Sequence, residues 1–104
     1  MNLSSDQVRC LQPNTLIDFL KKARWNYFQS KRAFLEIYRT QINHQIFEVL
    51  IPTNRDYYDD YDRAMLRAVL LVASALNMQP ETLLQQLLAR QQNAATPNET
   101  RQAK

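Results

Sequence analysis

The chain has 104 residues, of which 45% are hydrophobic and 22% charged, with a net charge of +3 and no glycine. That length fits one domain with a single core, and the composition excludes global disorder and fibrous classes. The missing glycine excludes phosphate-cradling loops, dinucleotide fingerprints and nucleophile elbows, which need a residue without Cβ where the backbone bends to positive φ beside a ligand.

The longest apolar run, Ala68 to Ala73, is too short to span a bilayer. The first residues, with Ser4, Ser5 and Asp6, carry no apolar h-region. A cytoplasmic location is the expectation, and a lone Cys10 agrees with a reducing compartment. Cys10 reads as a small half-buried apolar residue rather than a reactive thiol, because only Arg9 is near enough to lower its pKa. His44 has no second histidine and no cysteine pair to complete a metal site, and its neighbours indicate a turn. No cofactor and no metal are expected.

Residues 1–13 lack periodicity and end in Pro13, so they read as an N-terminal arm with a short turn of helix. A first helix is predicted over residues 15–23, with Thr15 and Asp18 spaced as a capping box and Leu16, Ile17, Leu20 and Ala23 on one face. From Trp25 the residue types turn aromatic and β-branched, predicting strands at Trp25 to Phe28, Ala33 to Thr40 and Ile46 to Ile51. The last two form a hairpin whose loop lies within Gln41 to Gln45, Asn43 being best able to take positive φ. A two-residue Asn43-His44 loop places Arg39 opposite Glu48, Tyr38 opposite Val49 and Ile37 opposite Leu50, which pairs opposite charges and apolar groups.

Both faces of this hairpin are apolar. Phe34, Tyr38, Phe47, Val49 and Ile51 fall on one, and Leu35, Ile37, Ile46 and Leu50 on the other. A sheet packed on one side should alternate apolar with polar, so the second face wants a cover, either the N-terminal arm or another chain.

After Pro52, Thr53 to Asp56 suit a helix start, and a helix is predicted from about Tyr57 to Leu76 with Asn77 as its stop. Its stripe of Tyr61, Met65, Ala68, Val72 and Ala75 is widened almost all round by Leu66, Val69, Leu70, Leu71 and Leu76, as in a central helix or one at an interface. Pro80 opens a last helix carrying Leu83, Leu84, Leu87 and Leu88. Beyond Gln91 the composition predicts a disordered tail over 92–104.

Charge is unevenly placed. Lys21, Lys22, Arg24, Lys31, Arg32 and Arg39 surround Trp25, Tyr27, Phe28 and Phe34, an arrangement able to hold phosphates and stack bases. Acids gather in Asp56-Tyr57-Tyr58-Asp59-Asp60-Tyr61-Asp62, where Asp56, Asp59 and Asp60 share a helical face. That cluster suits a helix dipole better than a cation, while its tyrosines offer rigid contact area to a partner.

The order of a helix, an aromatic strand, a long hairpin ending in Ile51-Pro52 and late helices resembles the HicA-type toxins, small mRNA interferases with a double-stranded-RNA-binding-like fold. Leu16-Ile17-Asp18-Phe19-Leu20-Lys21-Lys22 followed by Trp25, the strand ending Val49-Leu50-Ile51-Pro52, and Leu66-Arg67-Ala68-Val69-Leu70 carry the likeness, which runs from Thr15 to about Leu88. Activity in that family rests on a histidine after a Gly-Ser step at the second strand, where this chain has Ser30-Lys31-Arg32-Ala33. The resemblance therefore implies a fold but no catalytic residue. The stretch from Val49 to Leu76 is also similar to small bacterial proteins in which a Pro-ended strand precedes an Asp-Tyr helix.

The expectation is one α+β domain over residues 14–91: a helix, a three-stranded antiparallel sheet and two C-terminal helices. Its expected function is a non-enzymatic protein-protein interaction module, a homodimer or a small subunit of a bacterial complex, with no small-molecule substrate and no membrane partner. Tyr57, Tyr58, Tyr61, Leu35, Ile37 and Leu70 are the candidate interface residues. The alternative is nucleic-acid binding, RNA or DNA, through Lys21, Lys22, Arg24, Lys31, Arg32 and Arg39.

Overall fold

The computed structural model describes residues 3–54, 56 and 60–95. In chain order the elements are α1 (Ser5–Val8), α2 (Pro13–Lys22), β1 (Asn26–Gln29), β2 (Leu35–Ile42), β3 (Gln45–Pro52), α3 (Tyr61–Ala75) and α4 (Pro80–Ala95). The strands form one antiparallel sheet in the order β1-β2-β3, so the fold is α+β as its residue types predict. No helix among the described residues is long and apolar enough to cross a membrane.

The hairpin register is the predicted one. Arg39 lies across from Glu48, Tyr38 from Val49 and Ile37 from Leu50, with the pairing closed by Ile42 and Gln45. Asn43 and His44 both take positive φ, 51° and 68°, as a type I′ turn requires to match the twist of the strands.

Helices cover one side of this sheet. α3 lies on β3 and α2 reaches the same face, while α4 packs on α2 and α3. Tyr38, Val49 and Ile51 point into the core, where Leu16, Leu20, Met65, Val69, Val72, Leu83 and Leu87 are fully buried. Each such aliphatic side chain contributes about 1.5–3 kcal/mol by leaving water. The helix-period spacing of these residues accounts for which stripe of each helix turns inward. The N-terminal segment belongs to the same core: Val8 and Leu11 are wholly buried, and α1 packs on α3. It therefore leaves the second sheet face uncovered.

Several boundaries differ from those predicted. α2 begins at Pro13, whose fixed φ and missing N–H suit a first helical position, and the Thr15-Asp18 capping box does not form. The Gln91 amide of α4 takes over that function. Its Oε1 accepts from the Gln12 N–H at 2.7 Å and from the Thr15 hydroxyl at 3.0 Å, and its Nε2 donates to the Cys10 carbonyl at 2.8 Å. α4, which packs on α2 and α3, continues through Ala95, four residues past Gln91. The rest of the predicted tail, 96–104, lies outside the described residues, as do Tyr57, Tyr58 and Asp59 at the predicted start of the third helix.

Trp25 is buried just before β1, and Ala33 and Phe34 precede β2 rather than opening it. Phe34 has φ 58°, which no strand residue takes, and its carbonyl accepts from the Thr53 N–H at 2.9 Å.

Two helices end in Schellman motifs built without glycine. After α2 the Trp25 N–H donates to the Leu20 carbonyl and the Arg24 N–H to that of Lys21, with Arg24 at φ 68°. After α3 the Met78 and Asn77 N–H groups reach Ala73 and Ser74 in the same way, with Asn77 at φ 58°. Asparagine tolerates this region, whereas arginine and histidine each cost about 1 kcal/mol there relative to glycine. His44→Gly and Arg24→Gly are therefore expected to raise stability by about 0.5–1 kcal/mol each, part of the gain being offset by the freer unfolded chain. Urea denaturation followed by circular dichroism checks this; a lowered midpoint in both variants would contradict the account of these turns.

Candidate interaction surface

Strand periodicity and the observed register together assemble the uncovered face. One row across the sheet is Phe28, Ile37 and Leu50, and the next is Asn26, Arg39 and Glu48; Gln41 and Ile46 lie towards the turn. Phe28 is 40% exposed, Leu50 49% and Ile46 65%, against 2% for Val49 and 0% for Ile51 on the opposite face. Three large apolar side chains thus sit in water on one face of the sheet, Phe28 and Leu50 in one row and Ile46 beyond the Arg39-Glu48 row.

Arg39 and Glu48 lie in the middle of it. The Arg39 guanidinium donates through Nε at 3.2 Å and Nη2 at 2.5 Å to Glu48 Oε2, and its carbon lies 4.5 Å from the centroid of the Phe28 ring. Both side chains remain close to half exposed. An ion pair in that setting adds less than about 1 kcal/mol to stability, so its main effect is to fix one positive and one negative group among apolar neighbours.

The predicted interface residues separate. Tyr61 is buried at the start of α3, and Leu35 is buried at the end of the sheet, where it pairs with Pro52. Ile37 is half-buried within the open face, and Leu70 is 39% exposed on α3. Tyr57 and Tyr58 lie outside the described residues. Phe28 was not among the candidates, because its pairing with Ile37 needs the β1 register and not the local pattern. Ile46 and Leu50 carried a signal, since they alternate with the core residues of β3.

The basic residues separate too. Lys21, Lys22 and Arg24 are exposed around the C-terminal end of α2, and Lys31 and Arg32 are exposed on the loop after β1. Arg39 is on the open face with Glu48. Beside Lys31 and Arg32 is a cleft of about 400 Å³ whose walls include Tyr27 and Phe34. These rings are 53% and 46% exposed. In the loop the Ser30 hydroxyl oxygen accepts from the Arg32 N–H at 3.0 Å.

Cys10 is exposed rather than half-buried, and its backbone carbonyl accepts from the Gln91 amide. His44 stands exposed in the turn. Among the described residues no three His, Cys, Asp or Glu side chains are placed to hold a metal ion; Asp56 and Asp60 are exposed, and Asp59 is outside those residues. Compared with protein families, curated proteins and solved structures, the chain matches none.

The inner face holds one polar pair. The buried Tyr38 hydroxyl donates to Glu36 Oε1 at 2.6 Å, and the Tyr38 ring packs on Tyr27 with centroids 5.5 Å apart. Burial pushes the Tyr38 pKa up, and the hydrogen bond to Glu36 pushes it the same way. An unfolded tyrosine titrates near 10, so between that value and the raised folded value the unfolded chain loses a proton that the folded chain keeps. Stability from this source is complete below pH ~10 and declines as pH rises beyond it. Tyr38→Phe is expected to lower stability at neutral pH by about 1 kcal/mol and to flatten the alkaline decline. Denaturant midpoints measured from pH 7 to about 11 test this; an equally steep decline in the variant would assign the effect elsewhere.

Proposed function

We propose that this chain is a non-enzymatic protein-protein interaction module that works as a homodimer joined through the open faces of two sheets. The observation that carries the reading is the exposure of Phe28, Ile46 and Leu50 on the face opposite the helices. A second copy is favoured because the face is self-complementary. About a two-fold axis near the Arg39-Glu48 pair, the arginine of each copy meets the glutamate of the other, and the apolar rows cover one another. Two sheets packed in this way form a sandwich with interdigitating side chains.

Light scattering over a concentration series tests the homodimer. The native chain is expected to dimerise, and Phe28→Ser with Leu50→Ser to leave a folded monomer, both positions being exposed. Arg39→Glu should weaken association by about tenfold, and adding Glu48→Arg should restore it. A native chain that stays monomeric throughout would remove the homodimer.

A second reading, nucleic-acid binding, is favoured by the cleft that combines Lys31 and Arg32 with Tyr27 and Phe34. Stacking on exposed rings and phosphate contacts by the two cations would suit a single strand. Titration of a labelled single-stranded RNA should then give an affinity that falls steeply between about 50 and 200 mM salt and weakens in Lys31→Glu. Absence of binding at low salt would sink this reading.

A further inference from the structure

The edges of the sheet are unequal. β1 at one edge has 4 residues, while β3 at the other has 8. In an antiparallel pair closed by a two-residue loop, alternate residues turn their backbone groups towards and away from the partner strand. With Ile42 and Gln45 as the closing pair, the N–H and C=O groups of Ile46, Glu48 and Leu50 turn away from β2. Pro52 falls at the next outward position, where its missing N–H costs the ladder nothing, as expected of an edge. Native sheets ordinarily blunt an edge of this length with lysines, a bulge or a cover. β3 contains no lysine, and its one charge, Glu48, is engaged by Arg39.

A groove of about 100 Å³ runs beside this edge, between β3 and α3. Glu48, Val49 and Leu50 form one wall, with the Glu48 carboxylate held by Arg39; Leu71 and the buried Ala64 and Ala68 form the other, and Arg67 stands with them. The Ala64/Ala68 spacing of four puts two small, buried side chains on one helix face, where they form the floor of this shallow groove. Arg67 and its i−4 neighbour Arg63 are exposed, and neither takes part in an ion pair among the described residues.

We propose that the β3 edge and the α3 groove bind an extended acidic segment of a partner protein, which adds as a fourth strand with alternate apolar side chains towards Ala64 and Ala68 and carboxylates near Arg63 and Arg67. This is strand addition, in which main-chain hydrogen bonds give affinity and alternate pockets give specificity. A second copy of this chain fits the groove less well. A two-fold pairing of β3 with β3 would place both α3 helices on the same side of one sheet, with the Arg63 and Arg67 rows facing each other. The proposal rests on the chain being an interaction module; it shares Leu50 and Glu48 with the open face, while the outward amides of β3 and the α3 wall lie beside that face.

The test is selection of a phage-displayed random dodecapeptide library on the immobilised full-length chain, followed by anisotropy and amide NMR titration with the enriched peptide. The expected result is a proline-free pattern of alternating apolar and acidic residues that perturbs the amides of Ile46, Glu48, Leu50, Ala64 and Ala68. N-methylation of the peptide amides on one alternating set should weaken binding about tenfold, and Arg63→Glu with Arg67→Glu should do the same to an acidic peptide while favouring a basic one. No enrichment, a peptide that binds through Phe28 and Ile37, or indifference to both N-methylation and charge reversal would overturn the groove. Light scattering on the same samples keeps the readings apart: a monomer that still takes the peptide counts against the dimer alone, and a dimer that takes none counts against the groove alone. A complex lost at high salt and reproduced by single-stranded RNA would overturn the groove in favour of the nucleic-acid reading.

Discussion

The Asn43-His44 turn sets the parity of the hairpin, and the placement of the open-face and β3-edge residues depends on that parity. A strand alternates its side chains between two faces, so a slip of one residue would exchange Val49 and Ile51 in the core with Glu48 and Leu50 outside. The same alternation governs the backbone, directing the amides of Ile46, Glu48 and Leu50 to the free edge. Two residues of positive φ close the turn, and the pairing of Arg39 with Glu48 and of Tyr38 with Val49 then holds one register against its neighbours.

Doing this without glycine has a physical consequence. Among the described residues five non-glycine residues take positive φ, and three of them are Arg24, Phe34 and His44. Each such residue persists only where surrounding contacts over-determine it. For Arg24 the determinants are two helix-end hydrogen bonds and the burial of the neighbouring Trp25 against the core. For Phe34 they include the hydrogen bond from Thr53 across the mouth of the sheet. These positions gain in return a less flexible unfolded chain than glycine would give, so their net cost is smaller than the native strain alone suggests.

The sequence made some of this legible and hid the rest for identifiable reasons. Hairpin register was readable because its determinants, opposite charges and apolar pairs at a fixed spacing, lie within Ile37 to Leu50. Asn77 as a helix stop was readable because asparagine tolerates the left-handed region. The start of α2 was not, because the group that accepts from the N–H of its N-cap, Gln12, is the Gln91 amide, 79 residues beyond. A local capping box could be read at Thr15 and Asp18, but a distant amide takes the Thr15 hydroxyl instead. Of the open face, Ile46, Leu50 and Ile37 were visible in the period of two, whereas Phe28 joins only through pairing with another strand. Tyr61 and Leu35 show the converse: aromatic and aliphatic residues in a suggestive local composition were turned inward by packing that composition does not encode.

The distribution of polar groups differs between the two sides of the sheet. On the inner side, Tyr38 and Glu36 satisfy one another, which lets a phenol be buried at the cost of one partner rather than of an unmade hydrogen bond. On the outer side, Arg39 and Glu48 stay close to half exposed among the exposed apolar residues Phe28, Ile46 and Leu50. Covering the face with a second copy would bury Phe28, Ile46 and Leu50 while offering each charge a second partner of opposite sign, so the desolvation that normally offsets a buried ion pair would be shared by two such contacts. The β3 edge lies at right angles to that contact. Face-to-face association would leave the outward amides of β3 free, but Leu50 and Glu48 belong both to the open face and to the α3 groove, so occupation of one surface would be felt at the other through these two side chains.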